Sequence, residues 1–203
     1  MPEIDPWGTL QVKDYDHVFK QFGVKPVSGD ITLDHYFFDR NIIIGHRDFD
    51  KIVKRIKTKK PFINITGIAA SGPYHLGHKE DLDLFNYFKS KGAKNYFAIS
   101  DIDAYLSRAD NTIPDLVTAK KWAVKNAADA LALGLSKKDI YVQSRKENRY
   151  YEFSYELSKK ITRNTFNAVY GHVDLGKVGA NFLQYADIMH PQLEEFEGAM
   201  PSV

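Results

Sequence analysis

Two histidines one helical turn apart carry the clearest chemical signal in the sequence. They stand in His75-Leu76-Gly77-His78, directly after a loop of small residues that covers positions 66–73. At the start of a helix, unpaired N–H groups and the positive end of the helix dipole attract phosphate, and both imidazoles can donate to its oxygens. Their effect grows as negative charge develops in a transition state. The pattern therefore predicts a site for phosphoryl or adenylyl transfer, with His75 and His78 as catalytic residues.

The glycines of this loop limit the class of nucleotide site. Gly67, Gly72 and Gly77 are spaced five and five, which matches neither the dinucleotide fingerprint nor a P-loop, and no Gly-Lys-Ser/Thr follows. Gly77 leaves room for a flat ring to approach the backbone. Two other interpretations of the histidines stay open: an ordinary pair of surface or core residues, or a zinc pair completed by Glu80, Asp81 or Asp83. We assign no metal site.

Strands and helices around the loop must position it. Phe62 to Thr66 predicts a buried strand, and the periodicity predicts a helix from about Leu76 to Lys91 that ends at Gly92. Two further strands are predicted at 96–99 and 140–142. The order β-α-β-α-β predicts an α/β fold: the first half of a doubly wound, Rossmann-like parallel sheet. Ligands of such folds bind outside the carboxyl ends of the strands, where the loop after Thr66 lies.

The helix between the last two strands is predicted from its caps. Thr112 is the expected N-cap, Pro114 falls in the first turn and Gly134 ends the helix. Its apolar face is expected to comprise Leu116, Trp122, Ala123, Ala127, Ala130 and Leu131.

Residues 1–60 are expected to form a mixed N-terminal extension. A helix is predicted from Tyr15 to Phe22, a hairpin between residues 36–38 and 42–44, and a basic helix from Phe49 to Ile56. The basic run at 57–60 is typical of a solvated face, and a phosphate contact is the alternative.

Composition excludes several classes of protein. The chain has 203 residues, enough for one large domain with or without an extension, and its 28 basic and 26 acidic side chains give a net charge of +2. This charge does not indicate a protein that coats nucleic acid. The absence of cysteine excludes disulfides and thiolate chemistry and fits a reducing compartment. With no signal sequence and no apolar run of about 18 residues, we expect a cytoplasmic protein without a membrane partner.

The motifs, taken in order, resemble a known family. The strand, the loop and His75-Leu76-Gly77-His78 are similar to the first signature of class I aminoacyl-tRNA synthetases. The remainder resembles the tryptophanyl-tRNA synthetases of the archaeal and eukaryotic type. The stretches that carry this resemblance are Ile4-Asp5-Pro6-Trp7-Gly8, Asp14-Tyr15-Asp16, Gly45-His46-Arg47-Asp48, Lys59-Lys60-Pro61-Phe62, Asp101 to Leu106 and Leu183-Gln184-Tyr185-Ala186-Asp187.

The resemblance implies a reaction and the residues that serve it. ATP, accompanied by Mg²⁺, and tryptophan would bind at the carboxyl ends of the strands, and the amino-acid carboxylate would attack the α-phosphate as pyrophosphate leaves. His75 and His78 would stabilise the transferring phosphate. The implied ATP-binding residues are Gly67, Ala69, Ala70, Ser71, Gly72, Gly77, His46 and Arg47. The implied amino-acid-binding residues are Ile65, Asp103 and Gln184.

Each of these assignments has a structural alternative. Gln184 is equally a polar surface residue, Asp103 a cap of the turn after its strand, and residues 45–48 a turn without ligand contact. Relatives often carry tyrosine where Ile65 stands, and some carry a glutamine that reads the indole N–H where Ala98 stands. Burial of that N–H without a partner is costly, so another group must accept it, or the substrate is tyrosine.

The family's second signature, a lysine- and serine-rich loop, has no match in the sequence. We therefore expect a catalytic domain over residues 61–203 that is incomplete, with a dimer-forming insertion around residues 146–178, and little turnover by these 203 residues alone. tRNA is the expected partner, mainly through regions beyond those printed, and a homodimer the expected assembly. The alternatives are a tyrosyl-tRNA synthetase-like ligase, another nucleotidyltransferase with the same histidine motif, and a non-catalytic binding module.

Overall fold

A computed structural model describes residues 19–20, 23–108, 112–195 and 200–203. Within these residues the chain forms five strands: β1 (Lys25–Pro26), β2 (Gly45–His46), β3 (Phe62–Ala69), β4 (Ala93–Ser100) and β5 (Ile140–Val142). The same residues form eight α-helices: α1 (Tyr36–Asp39), α2 (Phe49–Lys57), α3 (Leu76–Ser90), α4 (Asp101–Ser107), α5 (Leu116–Ala132), α6 (Asn148–Ser158), α7 (Arg163–Tyr170) and α8 (Leu175–Glu195). No helix among them is long and apolar enough to cross a membrane.

The central sheet is parallel, with the strand order β3-β4-β5. β4 lies beside β3 and β5 beside β4, both in parallel register, with Gly67 opposite Ala98. On the other edge of β3, Val203 N donates to Ile63 O at 2.9 Å and Ile65 N donates to Val203 O at 2.8 Å. Residues 201–203 and β4 therefore lie on opposite sides of β3. In open α/β sheets the ligand crevice lies outside the carboxyl ends of the strands, where the strand order reverses in this way.

The predicted fold class is confirmed. Three predicted strands pair in parallel, and the helix after the first covers Leu76–Ser90, close to its predicted bounds. Gly92 and Gly134 follow their helices with φ of 95° and 96°, a backbone conformation that few other residues adopt without strain. One face of the sheet packs against α3 and α5 through a core that includes Leu82, Phe85, Phe97 and Ile99.

The N-terminal cap predicted for α5 is wrong. Asp115 caps this helix instead, because its carboxylate accepts from Thr118 N at 2.7 Å, and Pro114 precedes the cap. The predicted apolar face is also partly wrong. Leu116 and Leu131 are exposed, and the fully buried positions are Ala119, Ala123, Asn126 and Ala130.

The predicted hairpin near the N-terminus is wrong as well. Residues 36–39 form one helical turn because His35 Nδ1 accepts from Phe37 N at 3.3 Å, and β2 pairs with β1 rather than with residues 36–38. The predicted basic helix is confirmed as α2, whose Ile52 contacts a core formed with Phe62 and Phe88. The predicted helix over 15–22 lies outside the described residues, apart from two helical residues at 19–20.

Helices α6, α7 and α8 connect β5 to residues 201–203. α8 packs against both α4 and α6, with Tyr150, Leu183 and Ala186 at the centre of the contact. Phe166 is also buried, whereas Tyr155 is 72% exposed. α8 thus brings its inward face to the carboxyl ends of the strands.

Candidate functional site

Two adjoining cavities open at the carboxyl end of β3. The first, here the histidine cavity, measures about 420 Å³ and is lined by Gly67, Ile68, Ala69, Ser71, Gly72, Pro73, His75, His78, Asp81 and Arg108. The second, here the glutamine cavity, measures about 310 Å³ and is lined by Ile65, Thr66, Gly67, Ile68, Ala69, Ala98, Ser100, Asp103, Gln184, Asp187 and Ile188. Because residues 67–69 line both cavities, ligands in the two would meet at the end of β3.

Gly67 is required where the cavities meet. A Cβ atom at this position would lie 2.5 Å from Ala98 O and 2.7 Å from Ala98 Cβ on the neighbouring strand. The glycine therefore permits close contact between β3 and β4 and leaves the backbone bare toward both cavities.

The histidine pair sits at the start of α3, as predicted. The two imidazole rings stack with centroids 3.9 Å apart and planes 27° apart. His78 Nδ1 accepts a hydrogen bond from His75 N at 3.2 Å. A neutral imidazole that accepts at Nδ1 carries its proton on Nε2, so this bond leaves Nε2–H of His78 as a donor.

The surroundings of His78 favour its neutral form. Burial lowers the pKa of His78, and the nearby His75 lowers it further, while Asp81 acts in the opposite direction. The ring of Tyr74 lies 5.0 Å from that of His78 and covers it. Near neutral pH, His78 is thus an uncharged hydrogen-bond donor of fixed tautomer.

Four of the eight residues predicted to bind ATP line the histidine cavity: Gly67, Ala69, Ser71 and Gly72. Ala70 is buried, and its N–H donates to Ser100 O at 3.2 Å, so it supports the loop from behind. Gly77 faces His75, whose Cε1 would lie 3.1 Å from a Cβ atom there. Among the described residues, Arg108 is the only lysine or arginine that lines the cavity. Sequence reasoning missed it.

His46 and Arg47 lie elsewhere. They line a separate cavity of about 250 Å³, bounded by Phe49 and Phe88 and by Ser202 and Val203. His46 is buried, and its Nδ1 accepts from Phe49 N at 3.2 Å. The structure therefore does not bring these two residues to His75 and His78.

The glutamine cavity brings together all three residues predicted to bind the amino acid. Ile65 extends from β3, Asp103 from the first turn of α4 and Gln184 from α8. Burial raises the pKa of Asp103, and a hydrogen bond to Ser107 and the charge of Arg108 oppose this rise. Asp103 thus stands in the first turn of α4 and lines this cavity.

Asp187 is the cavity residue that sequence reasoning left without a role. It is 7% exposed, and its Oδ1 accepts from Tyr141 Oη at 2.8 Å and Tyr150 Oη at 2.7 Å. Its Oδ2 accepts from Gln143 Nε2 at 2.7 Å. Burial raises the pKa of Asp187 to about 6, although the three hydrogen bonds act to lower it. The sequence carried a signal, because Asp187 is one helical turn after Gln184 and shares its face.

Metal-binding geometry is not found in this part of the chain. Among the described residues no three histidine, aspartate or glutamate side chains converge. Of the acidic residues considered as zinc partners, Asp83 pairs with Lys79 at 2.5 Å.

Comparisons with known proteins agree with this fold. The sheet and its crevice define a Rossmann-like α/β domain. The family model for class I tRNA synthetases (W and Y) matches residues 57–201, and the chain belongs to this family.

Curated relatives and solved structures are similar along nearly the whole chain. A tryptophan–tRNA ligase of Methanocaldococcus jannaschii is 39% identical over 95% of this chain and 53% of its own length. The crystal structure of the tryptophanyl-tRNA synthetase of Aeropyrum pernix is 35% identical, with a TM-score of 0.77 over 96% of this chain and 55% of that one. A tryptophan-bound synthetase of Encephalitozoon cuniculi shares the fold at 24% identity, with a TM-score of 0.78 over 93% of this chain and 59% of that one. The chain thus spans about half the length of these relatives.

Proposed function

We propose that this chain supplies the catalytic half of a tryptophan–tRNA ligase, which activates tryptophan with ATP and transfers it to tRNA. The observation that carries the proposal is the pair of cavities that meet at residues 67–69. One presents two imidazoles at a helix start, and the other presents carboxyl and amide groups on an apolar wall. A reaction that joins a nucleotide phosphate to an amino-acid carboxylate needs such an arrangement.

In the histidine cavity, ATP lies with its α-phosphate toward the junction. An oxygen of the tryptophan carboxylate attacks the α-phosphorus, the bond to the β-phosphate oxygen breaks, and pyrophosphate leaves. His75 and the neutral Nε2–H of His78 donate to the phosphoryl oxygens as charge develops. Arg108 offsets charge on the phosphates, and Mg²⁺ enters as part of the ATP complex.

The bare backbone at Gly67, Ala69, Ser71 and Gly72 contacts the nucleotide, Ala70 supports it, and Gly77 leaves room for adenine. His46 and Arg47 line a different cavity. A role in ATP binding therefore needs the paired strands β1 and β2 to move toward the nucleotide.

In the glutamine cavity, the amino acid binds by its two ends. Gln184 and Asp103 take the ammonium group, since an amide oxygen and a buried carboxyl group accept its N–H bonds. Ile65 and Ala98 supply apolar wall for the side chain. Asp187 supplies the acceptor for the indole N–H that neither Ile65 nor Ala98 can provide. A phenol O–H would also satisfy Asp187, which keeps tyrosine as the second candidate.

Partners and organisation complete the proposal. The relatives' names support tRNA as the final acceptor, and a homodimer formed around residues 146–178 and a cytoplasmic location are part of the same hypothesis. We propose the same division as before, an extension over 1–60 and a catalytic domain over 61–203. The packing of α2 on Phe62 and Phe88 means that the extension supports the first strand of the domain.

Two measurements test the proposal. ATP–pyrophosphate exchange by the full-length protein should depend on tryptophan, and absence of exchange with tryptophan would sink the assignment. Exchange with tyrosine alone would favour the second candidate. For the 203 residues, calorimetric titration should show ATP and tryptophan binding that His78→Ala and Gln184→Ala weaken selectively. His172→Ala, at an exposed histidine outside both cavities, is the matched control and should change neither.

A further inference from the structure

The buried face of α5 has one polar residue. Ala119, Ala123 and Ala130 are fully buried along this face, and Asn126 lies between them with no exposed surface. Alanine is the better helix former, and a buried amide costs free energy unless it is hydrogen-bonded. The stability of α5 therefore does not explain why an asparagine occupies this position.

Its hydrogen bond leads to the loop of the histidine cavity. Asn126 Nδ2 donates to Gly72 O at 2.9 Å, which joins α5 to the chain between β3 and α3. Ala70 N bonds to Ser100 O and Ser71 N to Ala69 O, both on the β3 side of the loop. At Gly72 itself, no atom lies within 4 Å of the position of a Cβ, so packing does not fix the loop there.

Two further buried polar atoms lie along this part of the loop. Asn126 Oδ1 and Tyr74 Oη are both buried without a hydrogen-bond partner among the described residues. Burial of the Tyr74 side chain and the charge of Asp129 on α5 raise the pKa of its hydroxyl. Buried polar atoms without a hydrogen-bond partner cost free energy. Their presence here indicates that these side chains position the loop rather than stabilise the fold.

We infer that Asn126 is a positioning residue for the nucleotide loop. Through Gly72 it holds residues 71–74 against α5, so that the backbone of the loop and the start of α3 face the histidine cavity. The inference rests on the proposed function, because the position of this loop matters to ATP only if ATP binds there.

Asn181 provides a matched control. It is 1% exposed, its Nδ2 also donates to a backbone oxygen at 2.9 Å, and its Oδ1 is also without a partner. That bond goes to Lys177 O, one turn earlier in the same helix, and does not reach the loop. Asn126→Ala and Asn181→Ala therefore remove the same kind of bond at equal burial.

The experiment uses hydrogen exchange and calorimetry on the 203-residue chain. Asn126→Ala should accelerate amide exchange of Ser71, Gly72 and Tyr74 and weaken ATP binding roughly fivefold, the effect of one hydrogen bond, with tryptophan affinity unchanged. Asn126→Leu, which keeps the branched shape without the N–H donor, should do the same. Asn181→Ala should leave loop exchange and ATP affinity as in the original chain.

The outcomes separate the inference from the function. If Asn126→Ala changes loop exchange no more than Asn181→Ala does, the inference is wrong, whatever happens to ATP. If the loop exchanges faster but the original chain binds no ATP, Asn126 still positions the loop and the proposed function fails instead. Because alanine continues the stripe on α5, the variant should keep its melting temperature; if it does not fold, the result for Asn126→Leu decides between the outcomes.

Discussion

Asp187 makes the stability of this protein depend on pH in an unusual direction. Burial in the glutamine cavity raises its pKa from the ordinary value of 3.8 to about 6, so the folded chain holds a proton that the unfolded chain has already released. The proton therefore favours the folded state. The contribution is fully present below about pH 3.8 and is lost as the pH rises through about 6.

The size of this effect follows from the shift. A rise of about two pH units corresponds to roughly 3 kcal/mol between the two protonation states. Asp187→Asn removes the titration and keeps the shape. The difference in unfolding free energy between the original chain and this variant should thus fall by up to about 3 kcal/mol between pH 4 and pH 7.

Urea unfolding at pH 4, 5, 6 and 7 measures this difference directly, because other titrating groups cancel between the two chains. Asp115→Asn is a control that should not respond over this range. Hydrogen bonds from Thr118 lower the pKa of Asp115 from its ordinary value of 3.8, so its contribution is lost only below that pH, and the difference for Asp115→Asn should stay nearly constant from pH 4 to pH 7. If the difference for Asp187→Asn is constant with pH, or grows toward pH 7, the argument from burial is refuted.

Three further predictions concern the cavity walls. Gly67→Ala should lower the unfolding free energy by roughly 1–3 kcal/mol in urea titrations, whereas Gly72→Ala should change it little, since only the first meets a neighbouring strand. Arg108→Ala should weaken ATP binding about tenfold in calorimetry and change tryptophan binding less, because it lines the histidine cavity and acts on the glutamine cavity only through its charge on Asp103; equal losses for both ligands would contradict this placement. His78→Asn should keep the bond from His75 N and the melting temperature, yet lower the exchange rate of the full-length protein on the order of a hundredfold; an unchanged rate would exclude His78 from the chemistry.

The parts of the fold that sequence reasoning predicted are local. Strand β3, the loop and α3 are adjacent in the chain, and the glycines at 92 and 134 end their helices by a backbone conformation that depends on few neighbours. Two of the errors are also local and come from caps. His35 turns an aromatic run that favours a strand into a helical turn, and Asp115 takes the cap expected of Thr112.

Long-range contacts account for what the sequence did not reveal. Asp187 receives hydrogen bonds from residues 37 to 46 positions away, and Asn126 reaches a residue 54 positions away. Each of these residues stands in a helix whose periodicity predicts only that its face is inward. The partner at the other end of each bond depends on how the sheet and helices assemble, which no pattern within one segment specifies.

Residues 67–69 line both cavities, but the other supports of the cavities come from different parts of the chain. Under the proposed function, this arrangement would separate nucleotide binding from amino-acid choice. The histidine cavity rests on the β3–α3 loop and its bond to α5. The glutamine cavity is supported by Asp187 on α8 and by Gln143. Gln143 Nε2 donates a hydrogen bond to Asp187, and Gln143 Oε1 accepts one from Asp103 N. Asp187 is therefore linked to Asp103 through one side chain, whereas His78 lies in the other cavity. Substitutions on α8 should thus alter which amino acid binds while the nucleotide site keeps its geometry.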